Sequence, residues 1–484
     1  MEPFLYLSVM RLHHYFLLWA LGLFFVSCVT EDIDDHAEVV YAVDPQDSEL
    51  PYLQITTEEA IRNEPKIAAT LKVIENRKYT LTQPIGIEYR GSTSFRVSDK
   101  KSYGIETWDI AGNDAAISLL GYPEEEDFAL VGHVFQASSN SIYDPSLIHH
   151  HLGYNLYRDM GRYAARSTFV ELEINNNYVG LYMLMEKLKR DKNRIDVAKL
   201  TPSDTDPSVI TGGYILKIDK TAGGDSPQDM PLSYYESNWG DDALYRADNS
   251  FRSNYSNTGA LLPYAAYGGK QPAETYFLYE YPASDEINPA QKNYIKSYID
   301  QVDDAILNPG TGADPTYTSL IDVDSFVDFF LITELSRNID GYRLSTYLHK
   351  ERDGKLKMGP VWDMNIAFET GGRLPQDAWV ADYNQYVPND LWTVHFWWPK
   401  LKSDPYFRAR VKSRWNQLRQ GVWATSALTA KVDEYADYLQ NNGAVARNYA
   451  KWSGIPVNYA NQIQQLKAFL IQRSAWMDGE ISGF

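Results

Sequence analysis

Cysteine is almost absent from this chain: Cys28 is the only one among 484 residues, which excludes an internal disulfide framework. Basic residues are also in deficit. Lys and Arg number 45 against 64 Asp and Glu, a formal charge of −19, and a surface of that sign repels phosphate backbones, so nucleic acid is excluded as an extended partner. The same excess of carboxylates attracts divalent cations. There is no Walker loop, no GxGxxG loop and no repeat of solenoid period. What is present is the composition of a folded protein, 44% hydrophobic and 23% charged. The length suggests roughly two to four domains, or one large two-lobed unit with enough core to need no cross-links.

The N-terminus is read from charge and hydropathy. Tyr15 to Ser27 is uncharged and apolar, follows Arg11, and is too short for a comfortable membrane span. It ends in Phe25-Val26-Ser27-Cys28, close to a lipobox, in which a small residue precedes a cysteine that is acylated after cleavage. Residues 1–28 are therefore expected to be a lipoprotein signal peptide, with Cys28 as the lipidation site and the lipid as the membrane anchor. Residues 29–55, with Glu31, Asp32, Asp34 and Asp35, read as an acidic tether. The acidic start resembles a surface-export signal, so the expected location is the outer membrane or cell surface.

The remainder divides by periodicity. Residues 56–220 lean β, with strand-like runs at Tyr79–Thr82, Ile85–Tyr89 and Ser102–Trp108. A hairpin is expected from Thr168–Ile174 and Tyr178–Met185 around Asn175-Asn176-Asn177, then a strand at Tyr214–Ile218. One helix interrupts them, expected to start at Asp144 with Pro145 in its first turn and Leu147, Ile148, Leu152 and Leu156 on one stripe. Residues 221–285 read as an irregular insertion. From 286 to 484 the pattern turns helical, including Gln291–Leu307, Val323–Ser336 and a last helix with the stripe Ile463, Leu466, Phe469, Leu470. The fold class is α+β, with a β-rich part ahead of a helical part.

Two segments could carry chemistry. Arg90-Gly91-Ser92-Thr93-Ser94 follows a strand and precedes Lys100-Lys101, offering donors to phosphates. Asp340 follows an apolar helix, and Asp363, with Asn365 beyond it, follows a short hairpin 23 residues later. Phosphoryl transfer needs one carboxylate to position the attacking hydroxyl and another to hold a divalent cation. A carboxylate pair is also the acid and base of glycosidic-bond hydrolysis, a third and less favoured reading. His149-His150-His151 point about 100° apart on a helix, which favours structural roles over metal binding. Trp392, Trp397 and Trp398, near His395, read as a packed aromatic corner.

Most of the chain after about residue 60 resembles the spore-coat CotH family of atypical protein kinases. The segments that carry the likeness are RGSTSFRVSDKKSYGIE, DPSLIHHHLGYNLYRDMG, VELEINNNYVGLYMLMEKL, GGYILKID, ELSRNIDGYRLSTYLHK, KMGPVWDMNIAF, DPYFRARVKSRWNQLR and RNYAKW, in the family's order. The resemblance implies a two-lobed kinase-like fold, β-rich then helical, and an exported kinase that transfers the γ-phosphate of ATP to Ser or Thr of a protein substrate. Its cofactors would be ATP and Mg²⁺ (or Mn²⁺). Asp340 matches the catalytic-loop Asp and Asp363 the metal-binding Asp, with Asn365 where many members have a second acidic ligand. Arg90, Ser92, Lys100, Lys101 and Glu186 are the residues implied to hold the nucleotide, a lysine and Glu186 forming an ion pair. Two positions depart from the pattern: Ser345 stands five residues after Asp340, where kinases place a metal-binding Asn, and His149 stands where the family helix has Arg. A surface-anchored binding or assembly protein that keeps the fold with weak or no catalysis is the alternative.

Overall fold

The computed structural model describes residues 48–221, 239–369 and 372–484. The lipid-anchor reading at Cys28, the start of the tether and part of the expected insertion lie outside the described residues. No described helix is long and apolar enough to cross a membrane.

Chain order begins with β1 (Tyr52–Thr56), β2 (Ile67–Glu75) and β3 (Lys78–Arg90), then the short helix α1 (Thr93–Val97), β4 (Ser102–Thr107) and β5 (Asp127–Gly132). A small ladder of β6 (Phe135–Gln136) and β7 (Ser141–Ile142) precedes α2 (His149–Asp159) and the hairpin β8 (Ser167–Ile174) to β9 (Asn177–Glu186). Seven of these strands close into a barrel in the order β1-β2-β3-β4-β5-β9-β8, sealed by the parallel pairing of β1 with β8. Two hairpins owe their register to left-handed residues at the turn. Asn175 and Asn176, at φ 49° and 61°, join β8 to β9. Asn76 and Arg77, at φ 50° and 62°, do the same for β2 and β3. Two positive-φ residues in a two-residue loop match the right-handed twist of the strands. Since β1 starts at Tyr52, the tether expected to run to residue 55 ends earlier: Leu53 and Ile55 are buried barrel residues.

The barrel interior is filled by Ile85, Ile87, Ile105, Phe128, Leu130, Leu172 and Leu184, all with no exposure, each worth about 1.5–3 kcal/mol of burial. β5, β8 and β9 are buried on both faces. Ala129, Phe169, Leu181, Met183 and Met185 point outward and join the core of the helical part.

The rest of the chain adds a second sheet and most of the helices. β10 (Tyr214–Ile218), β11 (Ser250–Arg252) and β12 (Tyr276–Tyr281) come before α3 (Pro289–Leu307) and α4 (Val323–Ser336). The hairpin β13 (Thr346–Lys350) to β14 (Leu356–Met358) completes a sheet ordered β11-β12-β10-β13-β14. Ser250–Arg252 and Tyr276–Tyr281 of the expected insertion are thus strands of a sheet, because β11 pairs with β12 and β12 with β10, while residues 253–275 between them are irregular as expected. The chain after 286 is not purely helical. After α5 (Tyr383–Tyr386) come α6 (Trp397–Ser403), α7 (Pro405–Arg419), α8 (Thr425–Asn441), α9 (Ala444–Lys451) and α10 (Tyr459–Ser482). The four-residue stripe read on α10 is buried, as are Trp397 and Trp398.

The helix expected to begin at Asp144 begins at His149 instead. Asp144 (φ 58°) and Leu147 (φ 68°) adopt left-handed conformations that no helix interior accepts. The buried Asp144 carboxylate still does capping work, taking the His149 N–H at 2.8 Å and the Ser146 hydroxyl at 2.6 Å.

Candidate active site

A cavity of about 570 Å³ lies between the barrel and the second sheet. The end of β3 brings Arg90 to it, and the turn after brings Ser92. β10 ends there with Lys217, Asp219 and Lys220. The loop after α4 brings Asp340, Arg343 and Ser345, and the segment after β14 brings Trp362, Asp363 and Asn365. Asp340 and Asp363 therefore face one space, from the two ends of a hairpin whose strands start and stop beside it.

Asp340 is fixed by its neighbour. The Arg343 guanidinium donates to its Oδ1 at 2.5 Å and to the carbonyls of Ile339 (2.9 Å) and Trp392 (2.8 Å), and lies 3.4 Å from Asp390. Such a bond holds Asp340 as an acceptor. Asp363 is at φ 51°, and burial together with the charges of Asp340 and Asp219 pushes its carboxyl up to about 6, against the pull of Arg90 and Lys220. His150, on α2, stands behind it. Burial pushes the imidazole down to about 3, so it is neutral, and its Nδ1 accepts the Met364 N–H at 3.2 Å. The remaining proton is then on Nε2, 3.9 Å from Asp363 Oδ1. The histidine tract is structural in its other members as well. His149 meets Asp144 and the Asn365 carbonyl, and His151 meets Ser167.

Arg90 has no salt bridge among the described residues; its guanidinium lies over the Trp362 ring at 5.9 Å. Ser92 is committed differently, its hydroxyl donating to the buried Asp242 at 3.0 Å, which also takes Arg96 (2.8 Å) and Lys220 (2.9 Å).

Three residues implied to hold nucleotide do not line the cavity. Lys100 is 2% exposed and donates to the Leu181 carbonyl at 2.5 Å and to Asn448 on α9 at 2.8 Å. Lys101 donates to the Phe95 carbonyl at 2.7 Å. Glu186, wholly buried, binds Arg166 at 2.8 Å and Arg194 at 3.1 Å, so the expected Lys–Glu pair is replaced by Arg–Glu pairs. The reason is strand alternation: Met185 and Lys187 on either side of Glu186 line the cavity, and Glu186 points the other way.

Sequence reasoning missed Asp219, Arg343 and Lys220. Asp219 and Lys220 were detectable as charged residues ending the apolar strand Tyr214–Ile218; Arg343, three residues after Asp340, carried no local signal. Burial raises the Asp219 carboxyl above its ordinary value, against the pull of Lys217. The donor set fits a hard divalent cation, since carboxylate and amide oxygens converge on a space where a free cationic side chain, Arg90, can meet phosphate.

No curated protein matches the chain. A family model described as CotH kinase protein matches residues 87–477, which include Arg90, Asp219, Asp340 and Asp363. The chain belongs to the CotH kinase protein family.

Proposed function

We propose that the protein is an exported, lipid-anchored phosphotransferase that moves the γ-phosphate of ATP to Ser or Thr of a protein substrate with Mg²⁺ or Mn²⁺. The observation that carries this reading is the meeting of Arg90, Asp340 and Asp363 on one cavity from three separate parts of the chain. On this reading the barrel is the first lobe of an atypical kinase-like fold, and the second sheet with its helices is the other. ATP with its cation would supply the phosphoryl group and the charge neutralisation that transfer needs. Asp363 and the Asn365 amide oxygen would hold the metal, and Arg90 would meet the phosphates. Asp340, oriented by Arg343, accepts the hydrogen bond and proton of the acceptor hydroxyl.

Ser345, where kinases have a metal-binding Asn, and the two lysines turned from the cavity favour a second reading. In it the protein is a surface-anchored binding or assembly protein with weak or no catalysis. A radiolabelled-ATP assay on the full chain, with and without Mn²⁺ or Mg²⁺, separates the two. Asp363→Ala should weaken cation-dependent nucleotide binding and turnover together. Asp340→Asn should keep binding and lower transfer about 10²-fold or more. Unchanged activity in both variants rejects these roles, and a wild type that binds no nucleotide supports the assembly reading. The anchor is tested separately: Cys28→Ala should leave the protein unacylated and free of the membrane fraction.

A further inference from the structure

Six carboxylates line the cavity, those of Glu64, Glu88, Asp219, Asp340, Asp363 and Asp390, and they are not equivalent. Asp340 has a guanidinium at 2.5 Å. Among the described residues, Asp219 and Asp363 form no ion pair with a Lys or Arg side chain, and Arg90 lies instead over the Trp362 ring. The cations near them are engaged elsewhere: Lys217 pairs with Glu280 at 2.8 Å, and Lys220 pairs with Asp242 at 2.9 Å. His150 beside Asp363 is neutral, as its bond to the Met364 N–H requires. Two carboxylates thus face one space with no ion pair of their own among the described residues, and the charge of Asp219 raises the cost of charge on Asp363 against the longer-range pull of Arg90 and Lys220.

The backbone explains why Asp219 is where it is. β10 and β13 pair antiparallel, with Ile218 opposite Thr346, so Asp219 and Ser345 come next to one another just beyond the last pair. Ser345 is held at φ 49°, a left-handed conformation that Asn adopts more readily than Ser. Its hydroxyl is 3.4 Å from Asp219 Oδ2, and the Lys220 N–H fixes the other oxygen, Oδ1, at 2.9 Å. The loop therefore keeps the backbone of an amide-bearing position, and the neighbouring strand puts a carboxylate beside it.

We propose that Asp219 is a further protein ligand of the divalent cation, beside Asp363 and Asn365, and replaces the Asn ligand that Ser345 cannot supply. This rests on the phosphotransferase reading of the cavity. A hard cation prefers carboxylate oxygen to a neutral hydroxyl, and two carboxylates from different segments suffice to hold it before nucleotide arrives. On this assignment Ser345 does not mark a dead site. The ligand has moved from the loop to the adjacent strand.

The test is Mn²⁺ binding to the full chain without nucleotide, followed by the electron paramagnetic resonance of free Mn²⁺. The wild type should bind; Asp219→Asn and Asp363→Asn should each weaken binding by at least about tenfold, since even outer partners of a metal are worth that much. Ser345→Ala should stay within about twofold. Adding Ser345→Asn to Asp219→Asn should recover part of the loss, which a merely structural role for Asp219 would not produce. Asp219→Ser, which removes the carboxylate in a smaller side chain, should show the same loss and serves if the amide variant does not fold. Wild-type affinity in Asp219→Asn with loss in Asp363→Asn overturns the proposal and leaves the phosphotransferase reading intact. A wild type that binds no Mn²⁺, with or without ATP, overturns both.

Discussion

Asp363 shows how a site residue works against its fold. Its side chain is 48% exposed to the cavity, and its carboxyl is pushed from an ordinary value of 3.8 up to about 6 by loss of water around it first and then by Asp340 and Asp219, a shift that solvent in the cavity partly screens. Between those two values the folded chain keeps a proton that the unfolded chain has lost, so this residue's contribution to stability falls as pH rises through the window and is constant above it. Asp363→Asn mimics the protonated form and tolerates a positive φ. It should melt at a higher temperature than the wild type at pH 7.5 and lose that advantage below about pH 4, the lower bound set by the unfolded carboxyl. A thermal melt at the two pH values checks this; an equal shift at both would mean that charge is not the cause. The spacing of Asp340 and Asp363 was legible in the sequence because both lie near the ends of one short hairpin. Arg343 was not, since a buried clamp and a surface arginine look alike in a sequence.

Alternation along strands decides more than the motifs that contain them. Lys100 precedes β4 and lies in a segment that reads as a phosphate-binding motif, but its ammonium is spent on Leu181 and Asn448, where burial lowers it to about 7. Lys100→Ala would take the ammonium donor from the buried Leu181 carbonyl and leave Asn448 Oδ1 with the Leu181 N–H alone. It should therefore cost about 2–4 kcal/mol in chemical denaturation while leaving nucleotide affinity of the folded protein unchanged. Arg90→Ala should do the reverse, weakening nucleotide binding with little effect on stability. If Lys100→Ala instead abolished nucleotide binding without destabilising the fold, the lysine would belong to the site after all. Hairpins were easier to read. Asn175-Asn176 announces a left-handed two-residue turn, whereas Asn76-Arg77 gives the same turn without that signature, and β2 ahead of it went unread.

At the scale of the molecule, the barrel and the helices share one core, in which Phe169 and Met183 from strands belong to the same cluster as Leu466 and Phe469 from α10. The junction is also ionic. Arg447 on α9 forks onto the wholly buried Glu171 of β8 at 2.7 and 2.6 Å. Removing one partner leaves a buried charge, so Arg447→Ala should cost about 3–5 kcal/mol. Calorimetry should show the whole protein still melting in one transition at lower temperature. A separate barrel transition would show that the shared core does not couple the two parts. The sequence by itself determined the α+β class, the bounds of α4, the buried stripe of α10, the β8–β9 hairpin and the family, because period, turn chemistry and motif order are properties of neighbouring residues. Only the tertiary structure decided that the barrel closes, that Glu186 and Lys100 turn away from the cavity, and that Asp219 joins it. Those outcomes depend on partners far along the chain, Lys100 meeting a residue 348 positions away, and no local pattern records which distant side chain will complete a pair.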